Sequence, residues 1–204
     1  MITSRIVHLL RHGTTVRPGR WLGHADIAVS PHGIEECVRA TATVAFTHIV
    51  SSDLSRARHC AEAIARSRAA APVVGHAPPA SAAAPQALTI HPDPRWRELD
   101  FGDWDDTDPA TLDAATLAAF WHDPDANPPP NGERWSALVA RVAAALADAE
   151  GDTLIVTHGG AIRAALAAAC GFDARQVWAF DLPCAALLTL RLWPDAAQIV
   201  RLRA

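Results

Sequence analysis

The sequence has no surplus of positive charge: 18 lysine and arginine residues are outnumbered by 22 aspartates and glutamates, for a formal net charge of −4. Nucleic-acid binders usually carry a basic excess or a basic stripe, so no nucleic-acid partner is expected, and an anionic ligand has to be met by local positive charge. Long apolar runs are also missing. No stretch approaches the roughly 20 apolar residues that span a bilayer. The opening MITSRIVHLLRHG is interrupted by His8 and closed by Arg11, too short for a secretory core and without a cleavage site. A cytosolic protein with no membrane partner is therefore expected. Cysteine is scarce: Cys37, Cys60, Cys170 and Cys184 lie far apart, form no C-x-x-C pair and sit in apolar surroundings. Buried reduced thiols are expected there, not a disulfide framework or a zinc site. No internal repeat of fixed period is present, which excludes a repeat array.

What remains is one domain's worth of core: 204 residues, half of them apolar and 20% charged. Residues 5–10 read as a short buried strand. Ser30 and Pro31 then offer an N-cap and first helical position, with acids in the opening turn of the helix that follows. HIVSS is a second strand, and DLSRARHCAEAIARSRA a helix with Leu54, Ala57, Ala61 and Ile64 along one side. This alternation predicts an α/β fold, a three-layer α/β/α sandwich around a mostly parallel open sheet. Residues 69–87 are rich in alanine and proline and predict an exposed irregular connection, followed by a strand in LTIHPD. WRELDFGDWDD reads as a loop, residues 109–123 as one helix, 124–133 as a proline-rich link and 133–149 as a second helix. DTLIVTHGGAIRAALAAACG repeats the opening plan, with a helix stopped by Gly171, and CAALLTLRLW and AQIVRLR form a closing hairpin around Pro194 and Asp195.

Two strands thus deliver a histidine followed by glycine at the same kind of strand end, His12 before Gly13 and His158 before Gly159. In open α/β sheets ligands bind at that carboxyl edge, and neighbouring strands lie only about 4.8 Å apart. The paired glycines predict a backbone that approaches a ligand closely. Arg11 adjoins the first histidine, and Arg56 falls in the opening turn of the helix after the second strand, at the same edge. Buried arginines need an anionic partner. A tetrahedral oxyanion such as phosphate suits them, gripped by paired guanidinium N–H groups and by the amides of Gly13 and Gly159. The remaining histidines, His8, His24, His32, His48, His59, His76, His91 and His122, show no metal-ligand spacing.

The blocks LLRHGTT, SSDLSRARHCAEAI, WRELDFGDW and VTHGGAIR resemble, in order and spacing, those of the histidine phosphatase superfamily, the phosphoglycerate-mutase-like fold. The resemblance runs from residue 5 to about residue 190 and implies an antiparallel strand near the C-terminus of the sheet. It further implies that His12 is the nucleophile and becomes a phosphohistidine, that Arg11, Arg56 and His158 bind the phosphoryl group, and that Glu98 is the proton donor. No metal is required, because these cations and amides supply the positive field a divalent ion supplies elsewhere. Arg58 does not fall at the family's arginine position and is expected at the surface, and Arg163 is expected only to neutralise nearby acids. Trp21 and Trp104 are the candidates for substrate recognition.

The chain departs from the family pattern at Thr14, Pro18 and Gly160, where many members carry glutamate or glutamine, asparagine, and, in the mutases, asparagine. It also lacks the mutases' longer insertion. An open site admits water, so hydrolysis of a small phosphorylated metabolite is expected, with α-ribazole 5'-phosphate, a cobalamin lower-ligand precursor, as the best single substrate. A phosphoglycerate-type mutase and a phosphate-binding module without turnover are the alternatives.

Overall fold

The strand β1 (Arg5–Arg11) is buried because Val7 and Leu9 enter one side of a sheet and Leu10 the other, the two-residue period of extended chain. The computed structural model describes residues 4–70 and 88–204. Among these, β1 is followed by α1 (Pro31–Thr41), β2 (His48–Ser51), α2 (Ser55–Ala70), β3 (Ile90–Pro92), α3 (Ala114–His122) and α4 (Trp135–Asp148). Then come β4 (Thr153–Thr157), α5 (Gly159–Cys170), α6 (Ala174–Val177), β5 (Leu187–Leu192) and β6 (Ala197–Arg203). The strands form one sheet in the order β3-β2-β4-β1-β5-β6. The first four positions are mutually parallel, while β5 runs antiparallel to both β1 and β6. This is the expected mostly parallel sandwich with its antiparallel C-terminal strand.

Every residue of β4 is buried, as a central parallel strand covered on both faces requires. On one face Leu138 and Val142 of α4 and Ile162 and Leu166 of α5 pack against Val7, Leu9 and Ile155. On the other, Cys37 of α1 and Ala57, Cys60 and Ile64 of α2 pack against Leu10, Ile49, Leu154 and Val156. Among the described residues no helix is long and apolar enough to cross a membrane.

Several local expectations need correction. Ser30 caps α1 through Gly33 N–H, as read, but no acid lies in the first turn: Glu35 and Glu36 fall one turn later, and Glu36 binds Thr14 instead. The single helix expected over 109–123 is split into a tight turn at Pro109–Thr111 and α3. Asp108 and Asp113 each accept an N–H from the segment that follows, so each starts its own element. The capping box of Asp173 and Gln176 builds α6, which apolar periodicity did not reveal. Of the connection expected over 69–87, Ala69 and Ala70 belong to α2, and the remainder, with His76, lies outside the described residues. Cys37 and Cys60 are buried free thiols; Cys170 and Cys184 are also free but only half-buried, and Cys184 reaches the cavity described next.

Candidate active site

The parallel pairing of β1 with β4 places Arg11 opposite Thr157, so the residues that follow, His12 and His158, leave the sheet side by side. The His12 amide donates to the Thr157 carbonyl at 2.8 Å. The ring centroids of His12 and His158 are 5.1 Å apart, and both side chains are buried.

Their hydrogen bonds give the two rings opposite tautomers. His12 Nδ1 lies 2.8 Å from the Gly13 carbonyl oxygen, which can only accept, so Nδ1 carries the proton and Nε2 keeps its lone pair. His158 Nδ1 accepts from Arg56 Nε at 3.2 Å, and a guanidinium can only donate, so the His158 proton sits on Nε2. That Nε2 is buried and has no partner among the described residues. One imidazole therefore presents a nucleophilic nitrogen and its neighbour presents a hydrogen-bond donor.

Both rings are held neutral. Burial pushes the His12 pKa well below the ordinary 6.5, and the Arg56 and Arg11 cations push it further, against the opposing bond to Gly13. His158 is lowered by burial first, then by Arg56, His12 and Arg11. Burial also lowers His8. Below pH 6.5 the unfolded chain takes up protons that the folded chain does not, so stability rises with pH up to that point and falls as the pH drops beneath it. His12 and His158 together are expected to cost up to about 2.7 kcal/mol per pH unit in that window. Urea midpoints at pH 7.5, 6.5 and 5.5 measure this; a flat series would mean that the imidazoles are not buried neutral.

Arg56 is fully buried in the opening turn of α2. It spends its donors on the Leu22 carbonyl (3.1 Å), the Gly23 carbonyl (2.6 Å), the Ala25 carbonyl (2.8 Å) and His158. Asp105 grips the same loop from the other side, accepting from the amides of Gly23 (2.7 Å) and Ala25 (2.6 Å). With most of its N–H groups committed in this way, Arg56 is the clamp of residues 22–25 and the orienter of His158. Arg11 donates to the Leu182 carbonyl at 2.5 Å, while its buried Nε has no partner among the described residues. Arg58 lies at the surface and pairs with Glu62 at 3.1 Å, as expected.

Glu98 is buried beside the histidines, its Oε1 accepting from Leu99 N–H (2.9 Å) and its Oε2 from Gly160 N–H (3.1 Å) in the first turn of α5. Arg141 holds the backbone of this segment, donating to the carbonyls of Arg95 (2.8 Å), Arg97 (2.8 Å) and Glu98 (2.7 Å). The two glycines behind the histidines serve different ends. A Cβ on Gly13 would lie 1.9 Å from the Gly33 carbonyl oxygen, so Gly13 is small in order to seat α1, not to admit a ligand. A Cβ on Gly159 would instead face Arg163 Nη1 at 3.2 Å and Arg11 Nε at 3.5 Å.

A cavity of about 270 Å³ opens over these groups, lined by Arg11, His12, Glu98 and Gly159; Arg56 and His158 do not line it, and His158 adjoins it through the His12 ring with Arg56 bonded behind. Its charged lining is four arginines, Arg11, Arg17, Arg20 and Arg163, against Glu98 alone. The local field is thus strongly positive in a chain whose net charge is negative. Asp106, outside the lining, pairs with Arg17 and with Arg20 at the rim.

The outer half of the cavity is aromatic. Trp21 stacks on Phe101 at 4.9 Å and meets Trp121 edge-on at 5.6 Å; Trp121 in turn meets Trp178 at 4.9 Å. Trp21 lines the cavity as expected, but Trp104 does not: it lies buried behind, edge-on to Phe120 at 5.6 Å. Sequence reasoning missed Trp121, Trp178 and Arg163 as lining residues. Arg163 lies 4.4 Å over the Trp178 ring and donates to the Phe180 carbonyl at 3.1 Å, so it does more than neutralise acids. Its position five residues after His158, early in α5, was the available signal.

Solved structures of other proteins share the overall fold. The fold matches the α-ribazole phosphatase of Shigella flexneri with a TM-score of 0.77 and 25% identity over 98% of this chain and 96% of that one. It matches a protein of Thermus thermophilus with a TM-score of 0.72 and 27% identity over 98% of this chain and 99% of that one. A mycobacterial glucosyl-3-phosphoglycerate phosphatase shares the fold, with a TM-score of 0.76 and 24% identity over 97% and 98%. No curated protein sequence matches the chain. Residues 7–204 match the histidine phosphatase superfamily (branch 1), and with nearly its whole length covered the chain belongs to that family.

Proposed function

We propose that this histidine phosphatase hydrolyses a small phosphomonoester through a phosphohistidine on His12. The opposite tautomers of two adjacent buried imidazoles carry the reading: His12 Nε2 has a lone pair to attack phosphorus, and His158 Nε2–H is a donor for the charge that develops on phosphoryl oxygen. In the first half-reaction the N–P bond forms as the ester P–O bond breaks, and the Glu98 carboxyl gives its proton to the departing oxygen. In the second, the Glu98 carboxylate takes a proton from water, the water oxygen bonds to phosphorus, and the N–P bond breaks to release phosphate and restore His12. Arg11 and the amide of Gly159 complete the positive field on a loose transition state that needs positioning and charge above all. Arg56 contributes through its hold on His158 and through its own buried charge.

The aromatic outer wall favours an ester whose leaving group carries a flat, apolar ring. α-Ribazole 5'-phosphate has that form, and the similarity to the Shigella flexneri enzyme supports it. A panel of phosphomonoesters assayed in excess chelator tests both parts. Hydrolysis is expected to resist chelation, with kcat/KM for α-ribazole 5'-phosphate at least about tenfold above that for glycerol phosphate, the scale of one well-filled apolar contact. Formation of an isomer only in the presence of a bisphosphate primer would identify a mutase, and phosphate binding without turnover an inert module.

A further inference from the structure

Gly160 is the second residue of α5, and its φ is an ordinary negative value, so no backbone strain calls for glycine there. Glycine inside a helix is otherwise disfavoured relative to alanine. The reason for it is volume. A Cβ at this position would stand 2.1 Å from Glu98 Oε1 and 3.2 Å from its carboxyl carbon, and real Cβ atoms essentially never approach another atom within 3.0 Å. The carboxylate fills the space of the missing side chain, while the N–H of the same residue holds Oε2 at 3.1 Å. The Glu98 carboxylate is the end of a flexible side chain and can give way, but only by leaving the two amides that hold it, while its backbone stays fixed. Its other oxygen is held by Leu99 N–H, and its backbone carbonyl accepts from Arg141 (2.7 Å) and from His24 Nε2 (3.2 Å).

We propose that Gly160 is the positioning residue of the acid–base group: the absent side chain lets the Glu98 carboxylate lie against the first turn of α5, within reach of the leaving oxygen. This rests on the reading of Glu98 as proton donor. In this chain a β-carbon at residue 160 takes the place now filled by Glu98 Oε1, so Gly160→Ala moves the carboxylate and weakens its proton transfer while leaving the nucleophile and phosphoryl site in place.

The consequence depends on the leaving group, because a good one hardly needs a proton. Gly160→Ala is expected to lower kcat on an alkyl phosphate about a hundredfold and on p-nitrophenyl phosphate by about threefold or less. Glu98→Gln should show the same split, and Gly160→Ala should add less than about twofold to it, since two substitutions acting through one group are not additive. In a Glu98→Ala background the space is free, and Gly160→Ala should raise the melting temperature by its helix preference. This double variant also serves if the single one does not fold: kinetics equal to Glu98→Ala support the proposal. Equal losses on both esters in Gly160→Ala, or a full additional loss on top of Glu98→Gln, would overturn it. Equal losses on both esters in Glu98→Gln itself would instead remove Glu98 as proton donor, a separate failure.

Discussion

His12→Ala is expected to reduce hydrolysis of p-nitrophenyl phosphate by roughly four orders of magnitude or more, the scale on which removal of a covalent nucleophile acts. The loss follows from the position of one lone pair. His12 Nδ1 is committed to the Gly13 carbonyl, so Nε2 is the only nitrogen of that ring that can form a bond to phosphorus. His158 cannot take over, because Arg56 fixes its tautomer with the proton on Nε2. No other group described at the cavity base takes this role: Glu98 is assigned to proton transfer at the leaving oxygen, and Arg11 is a cation.

The same variant should keep its affinity for inorganic phosphate or vanadate, since Arg11, His158 and the amide of Gly159 are untouched. Brief incubation of the wild-type enzyme with substrate, quenched in alkali, should trap a phosphoenzyme that is stable to base and labile to acid, as an N–P bond is, and His12→Ala should trap none. Retained turnover, or a phosphoenzyme in His12→Ala, would refute the assignment.

The parts of this site legible from sequence are those written within one strand and its end. LLRHG and IVTHGG each join a buried apolar run to a histidine, and in a parallel sheet two such strands have one edge on which to present it. Arg11, His12, Arg56, Glu98 and His158, read from separate segments, lie together at that edge. What each does there was less visible, because it depends on contacts between distant segments. Arg56 could be placed at the sheet edge by its spacing, but its bonds to the carbonyls of Leu22, Gly23 and Ala25 reach back 31 to 34 residues, to a loop before α1 that no local pattern ties to α2. Gly13 read as a ligand-facing glycine, and only the approach of α1 through Gly33 shows that packing requires it.

The aromatic wall was hidden for the same reason. Trp21 is in a loop, Trp121 at the end of α3 and Trp178 just after α6, and each taken alone resembles a core residue. Trp104, which sequence favoured, sits in a 3-10 turn whose geometry sends it inward. Side-chain direction in loops and at helix ends is set by tertiary packing, and no periodicity encodes it.

Arg56→Ala is expected to lower kcat/KM by roughly two to four orders of magnitude, the range seen when a preorganised oxyanion donor is lost, although this guanidinium is mostly engaged by protein. Two effects combine. Without Arg56 Nε, His158 Nδ1 loses the donor that fixes its tautomer, and the imidazole can place its proton on either nitrogen. The carbonyls of Leu22, Gly23 and Ala25 lose their partners, so the loop that leads from Trp21 past the cavity keeps only the hold of Asp105, of His24 on the Glu98 carbonyl and of the Trp21 backbone pairing. Each buried carbonyl left unpaired costs about 1–3 kcal/mol, so stability falls as well, and the assay belongs at a temperature where the variant is folded by circular dichroism. Arg56→Lys should rescue little, because an ammonium presents its donors from one point while the acceptors here surround a planar fork. The ring-nitrogen NMR signals of His158 separate a positioning effect from simple unfolding: wild type should show one pure tautomer, and folded Arg56→Ala a mixture. A folded variant with unchanged rate and an unchanged His158 tautomer would show that this arginine neither orients the histidine nor contributes to the phosphoryl site.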